Sequence, residues 1–318
     1  MIVHMNKTSS AAVGIRLDQL RTTTGSVALG RVLTLLVIAS DEAGVRDGIQ
    51  AAAGASRAHP LRVVLVMADE REETESDTKA SLDAEIRVGP EAGLSEIVIL
   101  RAHGGAASNI ETLVSPLLLP DTPIVTWWIQ DAPSPASTTE VGAMSTRRIT
   151  TSQQCEDVPA ALARLREGYT PGDTDLGWAG ITLWRNHVAA MLDETPCTEI
   201  TSALVRGSLT HPSTYLLAAW LGRRLEVPSW VEENRGEAVT TVVLTREGGD
   251  IILDRPLGSD YGEMIRPGRK TQQVHLPMRS LETMLIEELR ESTADTAYED
   301  VLLHGLELLD IQEFHRSQ

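Results

Sequence analysis

Side chains able to do chemistry are sparse in this chain, and their spacing says as much as their number. The eight histidines are His4, His59, His103, His187, His211, His275, His304 and His315. No two of them fall at an interval that would hold a metal ion between them. His187 follows Arg185 by two residues on a helical stretch, the one arrangement worth testing as acid/base chemistry. A histidine filling an ordinary core or surface position is the plainer reading. Asp173 and Asp175 have the types of an acid/base carboxylate pair, yet both precede a helical pattern, where capping explains them without catalysis. The sequence contains no GxGxxG after a strand, no GxxxxGK[ST], no HExxH and no GxSxG. The turn after the first long strand, Ser40-Asp41-Glu42-Ala43-Gly44, opens with acid where a phosphate needs bare N–H groups. Cys155 and Cys197 form no CxxC and no zinc spacing, and sequence separation alone does not say whether they can meet in a disulfide. The residues therefore offer no catalytic, cofactor-binding or metal-binding set.

The stretch that would position the candidates is Gly168 to Leu192, GYTPGDTDLGWAGITLWRNHVAAML. Tyr169-Thr170-Pro171-Gly172 reads as a turn, because Pro fixes φ and Gly tolerates positive φ. Asp173 and Thr174 can then accept from the free N–H groups of a helix running from Asp175 to Leu192, with Asp175 complementing its positive end. Leu176, Leu183, Val188 and Met191 form its apolar stripe, widened by Trp178, Ile181 and Trp184. Residue types alone make this a well-capped core helix whose tryptophans pack.

Composition narrows the classes of partner. The formal net charge is −17, which opposes both nucleic acid and an anionic membrane surface as principal partners. Aromatic residues make up only 3% of the chain, so aliphatic side chains must carry the packing and clustered tryptophans become informative. The longest aliphatic run, Val32 to Ala39, is far too short to cross a bilayer and reads as a buried strand. With two cysteines and no secretion signal, the expected setting is the cytoplasm with reduced thiols.

The order of patterns predicts an α/β fold. A helix over Ser9–Arg21 is followed by strands at Arg31–Ala39 and Leu61–Ala68, separated by an alanine-rich helix capped by Asp41. Continuous apolar strands joined by a helix suit a mostly parallel sheet with flanking helices. Asp69 to Lys79 is a charged loop or hairpin tip. Leu82–Val88 alternates as an edge strand, Ser95–Arg101 continues the sheet, and Asn109–Leu119 is helical with Pro116 near its end. Ile124–Ile129 is a strand carrying Trp127 and Trp128, and Val158–Gly168 is a helix. Beyond Leu192 come a strand at Ile200–Leu209, a helix at Pro212–Leu225 and a hairpin of Ala238–Arg246 with Asp250–Arg255 through Glu247-Gly248-Gly249. A strand at Lys270–Pro277 and helices at Ser280–Arg290 and Ala294–Leu309 complete a smaller α+β domain. The expected organisation is residues 1–168, an N-terminal α/β domain; 169–195, a junction with the tryptophan helix; and 196–318, the C-terminal α+β domain with its antiparallel hairpin.

Pro171 to Arg185, PGDTDLGWAGITLWR, resembles the hallmark stretch of the OpcA family, the actinobacterial-type glucose-6-phosphate dehydrogenase assembly proteins. Val27–Thr34, Ser56–Pro60, Ala84–Val88, Leu117–Trp128, Arg147–Thr150, Leu217–Leu225 and Leu276-Pro277 are similar to the family in the same order. The resemblance implies a non-catalytic accessory protein without cofactor or metal, whose partner is glucose-6-phosphate dehydrogenase. In cyanobacterial relatives the effect is linked to thiol redox state, but neither cysteine here lies in a transferable motif. Interfaces favour Trp and Arg anchors, so Trp127, Trp128, Trp178, Trp184 and Arg185, with Asp173, Thr174 and Asp175, are the candidate partner-interface or signature residues. The competing reading is a small-molecule enzyme or sensor, with Asp41, Arg101 and Arg185 meeting a phosphorylated sugar or nucleotide at the ends of the parallel strands.

Overall fold

Strand runs of aliphatic residues build the first sheet. The structure, a computed structural model, describes residues 1–24, 33–69, 80–89, 96–193, 199–234, 236, 238–291 and 293–309. Cys197, His315 and the acidic run at 70–79 lie outside these. Contacts divide the chain into two units, Met1–Thr151 with Gly168–Thr174 and Leu281–Ala294, and Ser152–Glu167 with Asp175–Ser280 and Asp295–Gln318.

In the first unit the order is β1 (Ile2–Met5), α1 (Ser10–Thr24), β2 (Leu33–Ala39), α2 (Glu42–Ala58), β3 (Leu61–Asp69), β4 (Ser81–Val88), β5 (Glu96–His103), α3 (Ile110–Val114), β6 (Ile124–Trp128), α4 (Glu140–Ala143), β7 (Arg147–Thr150) and β8 (Asp173–Asp175). They form one sheet ordered β1-β4-β5-β3-β2-β6-β7-β8. Strands β5, β3, β2, β6 and β7 run parallel, with β4 antiparallel to β5 and β1 to β4. All seven residues of β2 are buried, as a strand covered on both faces requires. On one face α1 sets Val13, Leu17 and Leu20 in a core with Leu82, Ala84, Ile86 and Val88. Near the other, Gly48 of α2 lets the backbone close in: a Cβ there would lie 3.1 Å from Val37 and 3.2 Å from Leu65.

Two expectations change here. The alternating strand β4 is not an edge, because β1 pairs along it from Ile2 to Met5. The helix expected over Asn109–Leu119 is α3 followed by a 3-10 turn at Ser115–Leu117. Pro116 brings no N–H and its ring opposes the carbonyl four residues back, so the α-helix stops before it.

The second unit holds α5 (Val158–Glu167), α6 (Leu176–Gly180), α7 (Thr182–Asp193), β9 (Ile200–Gly207), α8 (Pro212–Leu225) and β10 (Ser229–Glu233), then β11 (Val239–Arg246), β12 (Ile251–Asp254), β13 (Tyr261–Ile265), β14 (Gln272–His275) and α10 (Thr296–Asp300). Its sheet is ordered β10-β9-β11-β12-β13-β14. All its pairs are antiparallel except β10 with β9. The β11–β12 hairpin turns through Gly248 and Gly249, whose φ values of 91° and 112° suit residues without a Cβ. Strands β10 and β13 are not expected from sequence: five residues of mixed polarity, one run following Pro228 and the other containing Gly262, give a weak signal. Helix α9 (Leu281–Glu288) belongs to the first unit, where Glu282 pairs with Arg57 at 3.2 Å.

Candidate functional site

The turn Thr170-Pro171-Gly172-Asp173 is held by a buried arginine that the sequence marks only as part of a motif. Gly172 takes a φ of 98°, and its carbonyl accepts from the Arg148 N–H at 2.9 Å. The Arg148 guanidinium donates to the carbonyls of Ser145 at 2.9 Å and Pro171 at 2.7 Å, and pairs with the Asp173 carboxylate. Asp173 also accepts from the Thr170 N–H at 2.8 Å. Burial pushes the Asp173 carboxyl upward, opposed by the hydrogen bond from Arg148 and the bond from Thr170. Asp173 is therefore committed to a turn and an ion pair, not to a helix cap. Thr174 is buried, and its carbonyl accepts from Thr150 Oγ1 at 3.2 Å. Neighbouring Arg147 is also buried and pairs with Glu288 at 2.7 Å.

Asp175 alone is the cap. Its extended backbone opens α6, and Oδ1 accepts from the Gly177 N–H at 2.8 Å. The same carboxylate takes the Ser152 N–H at 2.9 Å and the Ser152 hydroxyl at 2.8 Å. With a side chain fully enclosed, at 0% exposure for the residue, it is a structural acceptor for three donors. A single helix over Asp175–Leu192 is the sequence expectation; instead it breaks at Ile181 between α6 and α7. The Ile181 N–H bonds back only three residues, to Trp178, and Arg279 donates to the Ala179 carbonyl at 2.8 Å. Arg279 thus adds a side-chain donor where the helix ends, and Gly180 eases the break.

The four candidate tryptophans are interior. Trp178 is 1% exposed and donates its indole N–H to Asp295 Oδ2 at 2.7 Å, while Oδ1 of the same carboxylate caps α10 through Ala297 and Tyr298. The Arg185 guanidinium lies 3.7 Å from the Trp178 ring centroid, and the Tyr298 ring lies 5.9 Å away. This gives a cation–π contact with the indole face. Arg185 also donates to Thr182 Oγ1 at 3.1 Å. Trp184, 4% exposed, has Arg255 at 5.6 Å from its ring centroid. In the first unit, Trp127 is wholly enclosed and donates to Thr151 Oγ1 at 2.8 Å; Trp128 lies in the core beside α1. The structure thus joins Trp178 to Arg185, and joins both through Asp295 and Tyr298 to α10. Asp295 carries no sequence signal beyond lying in the first turn of the helix expected over Ala294–Leu309; in the structure it is the N-cap of α10.

The remaining candidates for chemistry are engaged separately. His187 Nε2 meets the His275 carbonyl at 3.2 Å. Asp41 caps α2 through Gly44 at 2.7 Å, and Arg101 forms a two-point pair with Glu42 at 2.6 and 3.1 Å. That pair holds the Glu42 carboxyl below its usual range. One perturbed group has no sequence signal: His211 is the N-cap of α8, accepting from the Ser213 N–H at 3.2 Å. Burial, with Arg255 adding repulsion, lowers its pKa to about 4, so the ring is neutral at pH 7. Among the described residues no cluster of three or more metal-ligating side chains occurs, and no helix is long and apolar enough to cross a membrane.

These features define a two-unit α/β protein whose arginine, aspartate and tryptophan signature ties backbone together. The chain matches the models of the glucose-6-phosphate dehydrogenase subunit N-terminal domain over residues 52–167 and of the corresponding C-terminal domain over residues 171–302. It belongs to the OpcA family of glucose-6-phosphate dehydrogenase assembly proteins. No curated protein matches it significantly. Among solved structures, it is similar to a 3-ketoreductase from Actinomadura kijaniata, at 12% identity and a TM-score of 0.46, covering 86% of this chain and 94% of that one. A UDP-N-acetylglucosamine 3-dehydrogenase from Acidithiobacillus ferrooxidans is similar at 8% identity and a TM-score of 0.39, covering 86% and 96%.

Proposed function

We propose that this chain is a non-catalytic, cytoplasmic subunit that binds glucose-6-phosphate dehydrogenase and favours its assembled, more active conformation. The observation that carries the reading is the family's two domains, matched in order along most of the chain. The engagement of Asp41, Arg101, Asp173 and Asp175 in caps, turns and ion pairs supports a binding role over catalysis. A binding protein can shift the dehydrogenase only by its differential affinity for two of that enzyme's states. The Trp178–Arg185 pair, with its indole buried and its arginine half-buried, acts in this reading as support for the contact surface. Steady-state assays of purified dehydrogenase, with and without this chain, test it. The expected result is a lower apparent KM or a higher kcat, with no turnover by this chain alone. Turnover of glucose 6-phosphate by this chain alone, or a dehydrogenase indifferent to it, would sink the proposal.

A further inference from the structure

The second unit's sheet has two unlike faces. Register aligns Val231, Val205, Val242, Leu253 and Met264 across five neighbouring strands, and every one of them is buried. Helix α8 packs on β9 and β10, and α7 on β12, which accounts for that covered face. One residue along each strand, the side chains point the other way. There the register aligns Trp230, Leu204, Val243, Ile252 and Ile265. None of these five is buried, and Trp230 is 40% exposed. With strands about 4.8 Å apart, the apolar row runs roughly 19 Å across the open face.

One flank of the row is mainly acidic. The next aligned set is Glu232, Arg206, Thr241, Asp254 and Glu263, three acids against one arginine, and that arginine pairs with Glu232 at 3.2 Å. On the other flank Ser202 faces Thr245, and Asp250 stands two residues before Ile252. Exposed rows of large apolar side chains rimmed by polar ones mark protein-binding surfaces.

Resting on the proposed accessory function, we infer that this open face docks onto glucose-6-phosphate dehydrogenase, against an apolar strip bordered on one side by lysine or arginine. The acidic flank, with three acids against one arginine, selects a basic partner. A second copy of this chain fits poorly, since self-pairing would bring together two acidic faces of molecules each carrying a net charge of −17.

Binding of the full chain to purified dehydrogenase, measured by calorimetry alongside the activity assay, provides the test. Trp230→Ala should weaken binding about 30-fold, the range of an interface anchor. Glu263→Lys, at an exposed position, should weaken it less and flatten its salt dependence, because it reverses a flank charge. Leu257→Ser, an exposed apolar side chain outside the row, should bind as wild type. Circular dichroism melts confirm that each variant is folded. Wild-type-like binding by folded Trp230→Ala and Glu263→Lys overturns the docking face while leaving the accessory function intact. Failure of the wild-type chain to bind at all removes the accessory reading itself. A wild-type dimer in sedimentation that Trp230→Ala dissociates, with dehydrogenase binding unchanged, would assign the face to self-association and overturn the inference.

Discussion

Replacing Asp175 by Ala tests whether the signature stretch is held as the structure describes. The wild-type carboxylate accepts from the N–H groups of Gly177 and Ser152 and from the Ser152 hydroxyl. Truncation leaves two backbone donors buried without this acceptor; the hydroxyl can rotate elsewhere. Each orphaned donor costs about 1–3 kcal/mol, so the loss is about 2–6 kcal/mol against a usual total of roughly 5–15 kcal/mol. With a urea slope of about 2 kcal/mol/M, the midpoint should fall by about 1–3 M. Asp175→Asn keeps one acceptor oxygen but turns its amide toward a donor, and should fall between alanine and wild type. Ser152→Ala removes only the hydroxyl and should cost about 1 kcal/mol or less. Urea titrations followed by both far-ultraviolet circular dichroism and tryptophan fluorescence read the series. An Asp175→Ala midpoint within about 0.3 M of wild type, less than about 1 kcal/mol at that slope, would refute the argument that this carboxylate is the anchor.

Three more sites give single-residue tests. Trp178→Phe deletes the indole N–H to Asp295 and weakens the stacking of Arg185, and should cost about 1–3 kcal/mol in the same titrations. His211 has its pKa lowered to about 4, so the unfolded chain binds a proton near pH 6.5 that the native chain refuses. Its contribution is complete above the unfolded value and is lost as pH falls from about 6.5 towards 4, reaching about 2 kcal/mol at pH 5. His211→Asn keeps a cap and should be flatter than wild type over that window; an unchanged slope between pH 7 and 5 contradicts the assignment. Gly248→Ala meets no neighbouring atom within 4 Å but must hold a φ of 91°, so a drop of about 1–2 kcal/mol in a thermal melt would come from backbone strain alone.

Sequence pattern captures the elements that arise from local repetition. Continuous aliphatic runs mark β2, β3 and β5, the three-and-four spacing of Val13, Leu17 and Leu20 marks α1, and Gly248-Gly249 marks the hairpin. Features decided by distant partners are invisible to it. Strand β4 reads as an edge because nothing local announces that the first residues of the chain will pair with it. The tryptophan helix reads as continuous because Arg279, a hundred residues on, supplies the donor at its break. Asp173 and Asp175 read as equivalent caps, whereas Arg148 claims one and Ser152 the other.

The same division separates the family's hallmark from the face proposed for docking. Large aromatic and charged types crowded into a short stretch stand out in a sequence, but here they serve the interior: Trp178 ties α10 through Asp295, and Arg148 ties the preceding turn. A flat sheet face leaves no such mark. Its five apolar residues sit on five strands, separated by as many as twenty-six positions between Leu204 and Trp230, and only the register lines them up. Two of the five side chains, Trp230 and Ile265, lie on strands that sequence does not reveal. Partner recognition by such a face depends on register, so a one-residue slip in β11 or β12 would turn Val243 or Ile252 inward and remove the row. Variants that disturb the hairpin turn at Gly248 should therefore weaken dehydrogenase binding beyond their cost to stability, if that face is the one the partner reads.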